Sequence, residues 1–217
     1  MGKLELGYWN IHGLASPIRF LLEIAGVDFD DKLYTIADQE SWAAKKDSLG
    51  FTYPNLPYII DGDVKMSEHL PIMRYISRKH GLAPTTEDEI IISDQTESFV
   101  FDIRFRFYMV AYSPAEIFDD KKAEWLTVAY KKFSYLNNLL EKNEYVIGSR
   151  LTYVDVYLYD FLLLIRSFEP ELITKNANLA RFIETVNKHP KVAAYVASDR
   201  FKKMSFCAPF STWNAEM

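Results

Sequence analysis

The sequence predicts a two-part protein: an α/β unit over residues 1–82, a short linker at 83–87, and an all-α unit over residues 88–217. Three observations predict it. Strand-like and helix-like patterns alternate in short pieces up to Gly81. Within that stretch, two apolar runs flank Asp61-Gly62, a two-residue hairpin signal. After Pro84 the apolar residues recur at helical period and strand alternation disappears.

Residues 4–8 read as a first strand. Ser16-Pro17 opens a helix through Ala25, with proline at the first helical turn and Gly26 just past the end. Residues 31–35 form a weaker strand candidate, followed by an irregular stretch. The run from Pro57 to Met66 is the hairpin, and residues 68–80 form a helix that Gly81 stops. Strand, helix, strand, then strand, strand, helix is a thioredoxin-like plan. The linker follows, carrying Pro84 and two threonines.

The second unit reads as helices throughout. One spans about residues 88–112 and ends at Ser113-Pro114. A second spans about 120–142, with Trp125, Val128, Ala129, Phe133, Leu136 and Leu140 on one side. The third has the clearest start in the chain: Thr152 followed three residues later by Asp155 is close to a capping box. Shorter helices fall at about 179–188 and 191–198.

The 217 residues are 49% hydrophobic and 15% aromatic, which excludes disorder as the main state. Twenty-five basic residues against 30 acidic ones give a net charge of −5, and no basic cluster stands out, so a nucleic-acid binder is not expected. No segment approaches the roughly 20 apolar residues of a membrane span. Cys207 has no second cysteine to pair with, and the amino terminus lacks a signal-peptide core, so a reducing, cytoplasmic location is expected.

Several chemistries lack their residues. His12, His69, His80 and His189 have no metal-ligand spacing, so no metal is expected, and phosphate loops and serine elbows are missing. A thioredoxin-like plan invites a Cys-x-x-Cys after the first strand; Gly7-Tyr8-Trp9-Asn10 stands there instead. A tyrosine at that strand end, near a helix start, can donate a hydrogen bond to a bound thiolate and lower its pKa; the alternative is a core aromatic. In Asn55-Leu56-Pro57-Tyr58 a proline just before a strand marks either a cis peptide that turns the backbone toward a ligand, or an ordinary trans turn. Phe101, Phe105, Tyr108 and Tyr112 share one helix face, as core or as the wall of an apolar pocket with two hydroxyls. Asp102 and Arg106, four apart on the neighbouring face, suit a solvated ion pair.

Tyr8-Trp9, Leu14, Trp42, Lys46, Asn55-Leu56-Pro57-Tyr58 and Ile60-Asp61-Gly62 together resemble the cytosolic glutathione S-transferases, the mu class in particular. The likeness runs on through Arg74-Tyr75-Ile76, Asp102, Ala111-Tyr112, Leu151 to Asp155, Phe168-Glu169-Pro170, Arg200-Phe201 and Trp213. The resemblance implies a homodimer that adds the thiolate of glutathione, its co-substrate, to small apolar electrophiles. It implies that Tyr8 stabilises the thiolate and that Trp9 and Leu14 line the site. Trp42 and Lys46 would hold the glycyl carboxylate. Asn55 and Leu56, beside a cis-Pro57, would grip the cysteinyl part. Glu68 and His69 would meet the γ-glutamyl end, and Asp102 its amine across the dimer interface. Phe101, Phe105, Tyr108, Tyr112 and the chain end around Cys207 would border the electrophile.

The sequence departs from the class in two regions. Glu68-His69 stands where Gln-Ser is usual: the larger imidazole can donate a hydrogen bond, crowd the glutamyl carboxylate or swing away, and the Glu68 charge suits the ligand's ammonium but not its carboxylate. Before Trp42 the loop is short, and Gln39 occupies a frequent arginine position. Both imply weaker glutathione binding than is usual. Tyr53 replaces a phenylalanine that keys into the other subunit. The rival reading is a protein of the same fold that binds apolar ligands or serves structurally, with little conjugating activity.

Overall fold

The alternation of Leu4 and Leu6 inward with Glu5 half out starts a strand, and Tyr8 and Trp9 continue it: β1 (Leu4–Trp9) is the centre of the first unit. The computed structural model describes residues 2–215, and the chain divides into one unit ending at Leu82 and another beginning at Ala83. In the first, α1 (Ser16–Ala25) crosses from β1 to β2 (Phe29–Tyr34), which pairs with β1 in parallel from Leu4 opposite Phe29 to Trp9 opposite Tyr34. Gly26 caps α1 at φ 70°, as its position after the apolar run predicts.

The irregular stretch that follows is partly helical: α2 (Gln39–Lys45) runs into a one-turn segment, Lys46–Ser48. β3 (Tyr58–Asp61) lies antiparallel to β1, and β4 (Val64–Ser67) pairs with β3, giving the order β2-β1-β3-β4. Asp61 pairs with Val64, so the hairpin loop is Gly62-Asp63, one residue later than Asp61-Gly62. Gly62 takes the positive φ, 61°, that a glycine-first hairpin loop needs. α3 (His69–Lys79) closes the unit. Arg19, wholly buried on α1, donates to Asp31 at 2.9 Å and to the Ile11 carbonyl at 2.8 Å, fixing the loop after β1 to both neighbours.

The second unit is helical: α4 (Glu87–Ala111), α5 (Phe118–Leu139), α6 (Tyr153–Phe168), α7 (Glu171–Thr174), α8 (Ala177–Asn187), α9 (Pro190–Ala197) and α10 (Asp199–Lys202). α6 is buried on every side from Tyr153 to Ile165 and forms its centre. The capping box at its start is complete: Asp155 accepts from the Thr152 N–H and hydroxyl, at 2.8 and 2.7 Å. On α5, Trp125, Ala129, Phe133 and Leu136 face inward, but Val128 is exposed, because it sits on the shoulder of that stripe. The buried face of α4 runs through Val100, Ile103, Arg104, Phe107 and Val110. Phe101 and Phe105 fall outside it, 42% and 55% exposed, so they are not core in this chain.

Candidate functional site

The first unit gathers residues far apart in sequence into one cluster. Tyr8, Ile11, Ala15, Tyr34, Trp42, Phe51, Leu56 and Tyr58 are buried together, with Trp9 and Leu14 packed against them. Tyr8 arrives at the end of β1, and its phenolic oxygen accepts the Leu14 N–H at 3.1 Å. The intervening loop has to pass close to that ring. A Cβ at Gly13 would lie 2.7 Å from the Tyr8 oxygen, and Gly13 also has a positive φ of 43°, so glycine is needed there twice over.

Trp42 stacks on Tyr58 with centroids 5.7 Å apart and planes within 10°, while the Tyr34 and Tyr58 hydroxyls meet at 3.0 Å. Tyr58 in turn donates to Glu5 at 2.5 Å, and burial together with that bond keeps its hydroxyl protonated. Lys46 follows Trp42 by four residues, which places both toward one side of the helical segment.

The peptide between Leu56 and Pro57 is cis rather than trans. Asn55 fixes this corner from both ends: its side-chain oxygen accepts the Leu56 N–H, and its amide donates to Glu68, each at 2.9 Å. Ser67 donates to the Tyr53 carbonyl, a second tie between the same two segments. Glu68 holds φ 72°, ψ 119°, a conformation that non-glycine residues rarely adopt and that is retained only where the surroundings enforce it. The Glu68 side chain makes no capping hydrogen bond at the start of α3. His69 itself is buried, at 5% exposure.

The second unit brings the remaining residues onto α4. Asp102 pairs with Arg106 at 2.9 Å, as its spacing predicts, and also with Lys132 of α5 at 2.7 Å. Lys132 first, and then Arg106, hold the Asp102 carboxyl below the usual carboxylate range. Phe101 and Phe105 stack at 6.2 Å, and Tyr108 and Tyr112 approach at 6.3 Å. Tyr112 accepts the Ala208 N–H at 2.8 Å and packs against Phe210, which ties the chain end to this face.

The family pattern for the glutathione S-transferase N-terminal domain matches residues 4–78, and that for the C-terminal domain matches residues 101–199. Glutathione S-transferase B of Cavia porcellus is 39% identical over 216 residues, covering 97% of this chain and 99% of that protein. Glutathione S-transferase Mu 2 of Mus musculus is 38% identical, covering 97% and 98%. The chain belongs to the glutathione S-transferase family. The crystal structure of the glutathione S-transferase Blo t 8 superposes with a TM-score of 0.90 at 32% identity, over 96% of this chain and 99% of that one. The protein is therefore a mu-like glutathione transferase, and these relatives favour the conjugating enzyme over the non-catalytic alternative.

One expectation for this transferase fails on geometry. Cys207 has no exposed surface, so its side chain cannot wall an open pocket; burial pushes its thiol up to about 12, only partly offset by the Tyr112 hydroxyl beside it. Three participants escape a sequence reading. Gly13 matters only because Tyr8 packs on it, and Lys132 and Asp160 reach α4 from 30 and more residues away. Among the described residues, no helix is long and apolar enough to cross a membrane.

Proposed function

We propose that Tyr8 holds the thiol of glutathione as the thiolate, which attacks small apolar electrophiles at the aromatic stripe of α4. The sulfur–carbon bond forms as the leaving group departs with its electron pair. The observation that carries the reading is the Tyr8 hydroxyl, whose oxygen accepts the Leu14 N–H within the cluster of Trp42 and Leu56. Donation into that oxygen polarises the O–H bond and makes it a better donor to sulfur.

The other assignments follow the same chemistry. Trp42 and Lys46 take the glycyl carboxylate, with Lys46 supplying a charge-assisted bond. Leu56 pairs with the cysteinyl backbone beside Pro57, and Asn55 holds that corner in place; Trp9 and Leu14 supply the apolar floor. Glu68 and His69, at the start of α3, receive the γ-glutamyl group, whose carboxylate suits a helix amino terminus. Asp102 reaches the ammonium across a homodimer interface. Phe101, Phe105, Tyr108 and Tyr112 border the electrophile. The enzyme works in the cytoplasm on detoxifying conjugation, without metal, nucleic acid or membrane.

The test is the pKa of bound glutathione, read from ultraviolet thiolate absorbance against pH. The wild-type value should lie well below that of free thiol. In Tyr8→Phe it should rise by about one to two units, the equivalent of one hydrogen bond to an anion. An unchanged value in Tyr8→Phe removes Tyr8 from this role. No thiolate signal at saturating glutathione favours the ligand-binding alternative.

A further inference from the structure

The side of α2 that faces the aromatic cluster is not apolar throughout. Gln39, Glu40, Ser41, Ala43 and Ala44 are exposed, and the residues turned inward are Trp42, Lys45 and, just past the helix, Lys46. A lysine covers apolar surface with its stem but ordinarily sends its ammonium out to water. Lys45 instead is half-buried and holds its Nζ over the Tyr34 ring, 5.1 Å from the centroid. A cation in the last turn suits the helix dipole wherever it points, so the inward turn of Lys45 needs another cause.

Tyr34 is a rigid support. It is buried, its hydroxyl meets that of Tyr58, its carbonyl accepts the Asn10 N–H at 2.8 Å, and its ring lies 5.4 Å from that of Trp42. The face of such a ring attracts an ammonium without neutralising it. Lys32 shares the ring, 5.9 Å from its centroid, but has the Glu5 carboxylate at 3.6 Å. Among the described residues neither Lys45 nor Lys46 forms an ion pair. Thr35, through its N–H and hydroxyl at 2.8 Å each, holds the Asp38 carboxyl below the usual carboxylate range, and Lys45 adds a smaller pull without pairing. Two half-buried ammonium groups beside an indole, with no carboxylate of their own, suit an anion from outside the chain.

We propose that Lys45, held on the Tyr34 ring, is a second cation for the glycyl carboxylate of glutathione and makes a free carboxylate at that end a requirement of the site. This rests on the reading that Trp42 and Lys46 take that carboxylate. Positions 45 and 46 follow Trp42 by three and four residues, so both stems leave the helical segment on the indole side and their charges converge there. A carboxylate has two oxygens, and two ammonium groups satisfy both. Because Lys45 already rests on Tyr34 before the ligand arrives, little of its rotamer freedom is left to lose on binding. Thiols whose glycyl end is masked as an ester leave two half-buried cations without their anion, and the site rejects them.

Glutathione and its glycyl monoethyl ester share the thiol and the γ-glutamyl end and differ by one charge, so calorimetric titration with both isolates the carboxylate contact. The wild type should bind glutathione at least about tenfold more tightly than the ester. Lys45→Met keeps the stem and removes the charge; it should weaken glutathione about fivefold and leave the affinity for the ester where it was. Lys45→Arg, which keeps both the charge and the ring contact, should stay near the wild type. A loss in Lys45→Met that falls equally on both ligands, or no loss at all, overturns the proposal, as does a Lys45→Arg that behaves like Lys45→Met. A selective loss confined to Lys46→Met also overturns it, leaving Lys46 as the one cation and the glutathione reading intact. Equal binding of both ligands by the wild type removes the carboxylate contact of Trp42 and Lys46, and Lys45 with it. Binding of neither overturns the glutathione reading itself.

Discussion

At the scale of single residues, the site is decided by a few atoms whose neighbours leave them one task each. His69 is the residue that sets this chain apart. It begins α3, is buried, and follows a Glu68 held at positive φ; under the proposed assignment its imidazole fills space beside the γ-glutamyl carboxylate. His69→Ser should tighten glutathione binding by a few fold, the effect of about 1 kcal/mol, measured by calorimetric titration. Equal or weaker binding would show that the imidazole takes part in the contact. The places of Tyr8 near a strand end and of Pro57 just before a strand are legible because both are local patterns. Gly13 and Asp160 are not, since each acquires its meaning from a contact that no spacing in the sequence announces.

At the scale of elements, local signals located the helices and strands well, but they left register open. The Gly62-Asp63 loop lies one residue from the dipeptide that marks it, because the antiparallel pairing of Asp61 with Val64 decides the register. The capping box of α6 is the clearest such signal. Asp155 accepts from the Thr152 N–H and hydroxyl and also from the Val146 N–H at 2.7 Å, tying the preceding loop to the central helix. Asp155→Ala removes the cap and strands two buried N–H donors, so it should destabilise the fold by about 3 kcal/mol in chemical denaturation. Burial pushes the Asp155 carboxyl up to about 6 despite these donors, which pull the other way. A raised pKa means that the folded state holds the proton more tightly. The associated stability is present below the unfolded value near 4 and is lost as pH rises through 6. The gap between wild type and Asp155→Ala should therefore widen as pH falls from 7 to 5; a constant gap would mean that Asp155 is ionised throughout.

At the scale of the whole molecule, the alternation that ends near Gly81 and the helical period that follows Pro84 made the α/β-then-helical architecture legible, whereas association is implied only through the family resemblance. Tyr53 provides the structural one. Its carbonyl is held by the Ser67 hydroxyl while its side chain stands 74% exposed, so a large aromatic is presented from a fixed backbone. Exposed aromatics on rigid supports are typical interface anchors. If Tyr53 keys a homodimer, sedimentation should give about twice the 25.3 kDa of one chain. Tyr53→Ala should then raise the dimer dissociation constant at least about tenfold. The consequence reaches back to the site, because Asp102 is assigned to glutathione bound by the other copy. In Tyr53→Ala the KM for glutathione should then rise on dilution as dimers separate, and in the double variant with Asp102→Asn that concentration dependence should disappear. A KM that ignores protein concentration while sedimentation reports monomer would place Asp102 outside the glutathione site and leave its two cationic partners, Lys132 and Arg106, as its whole role.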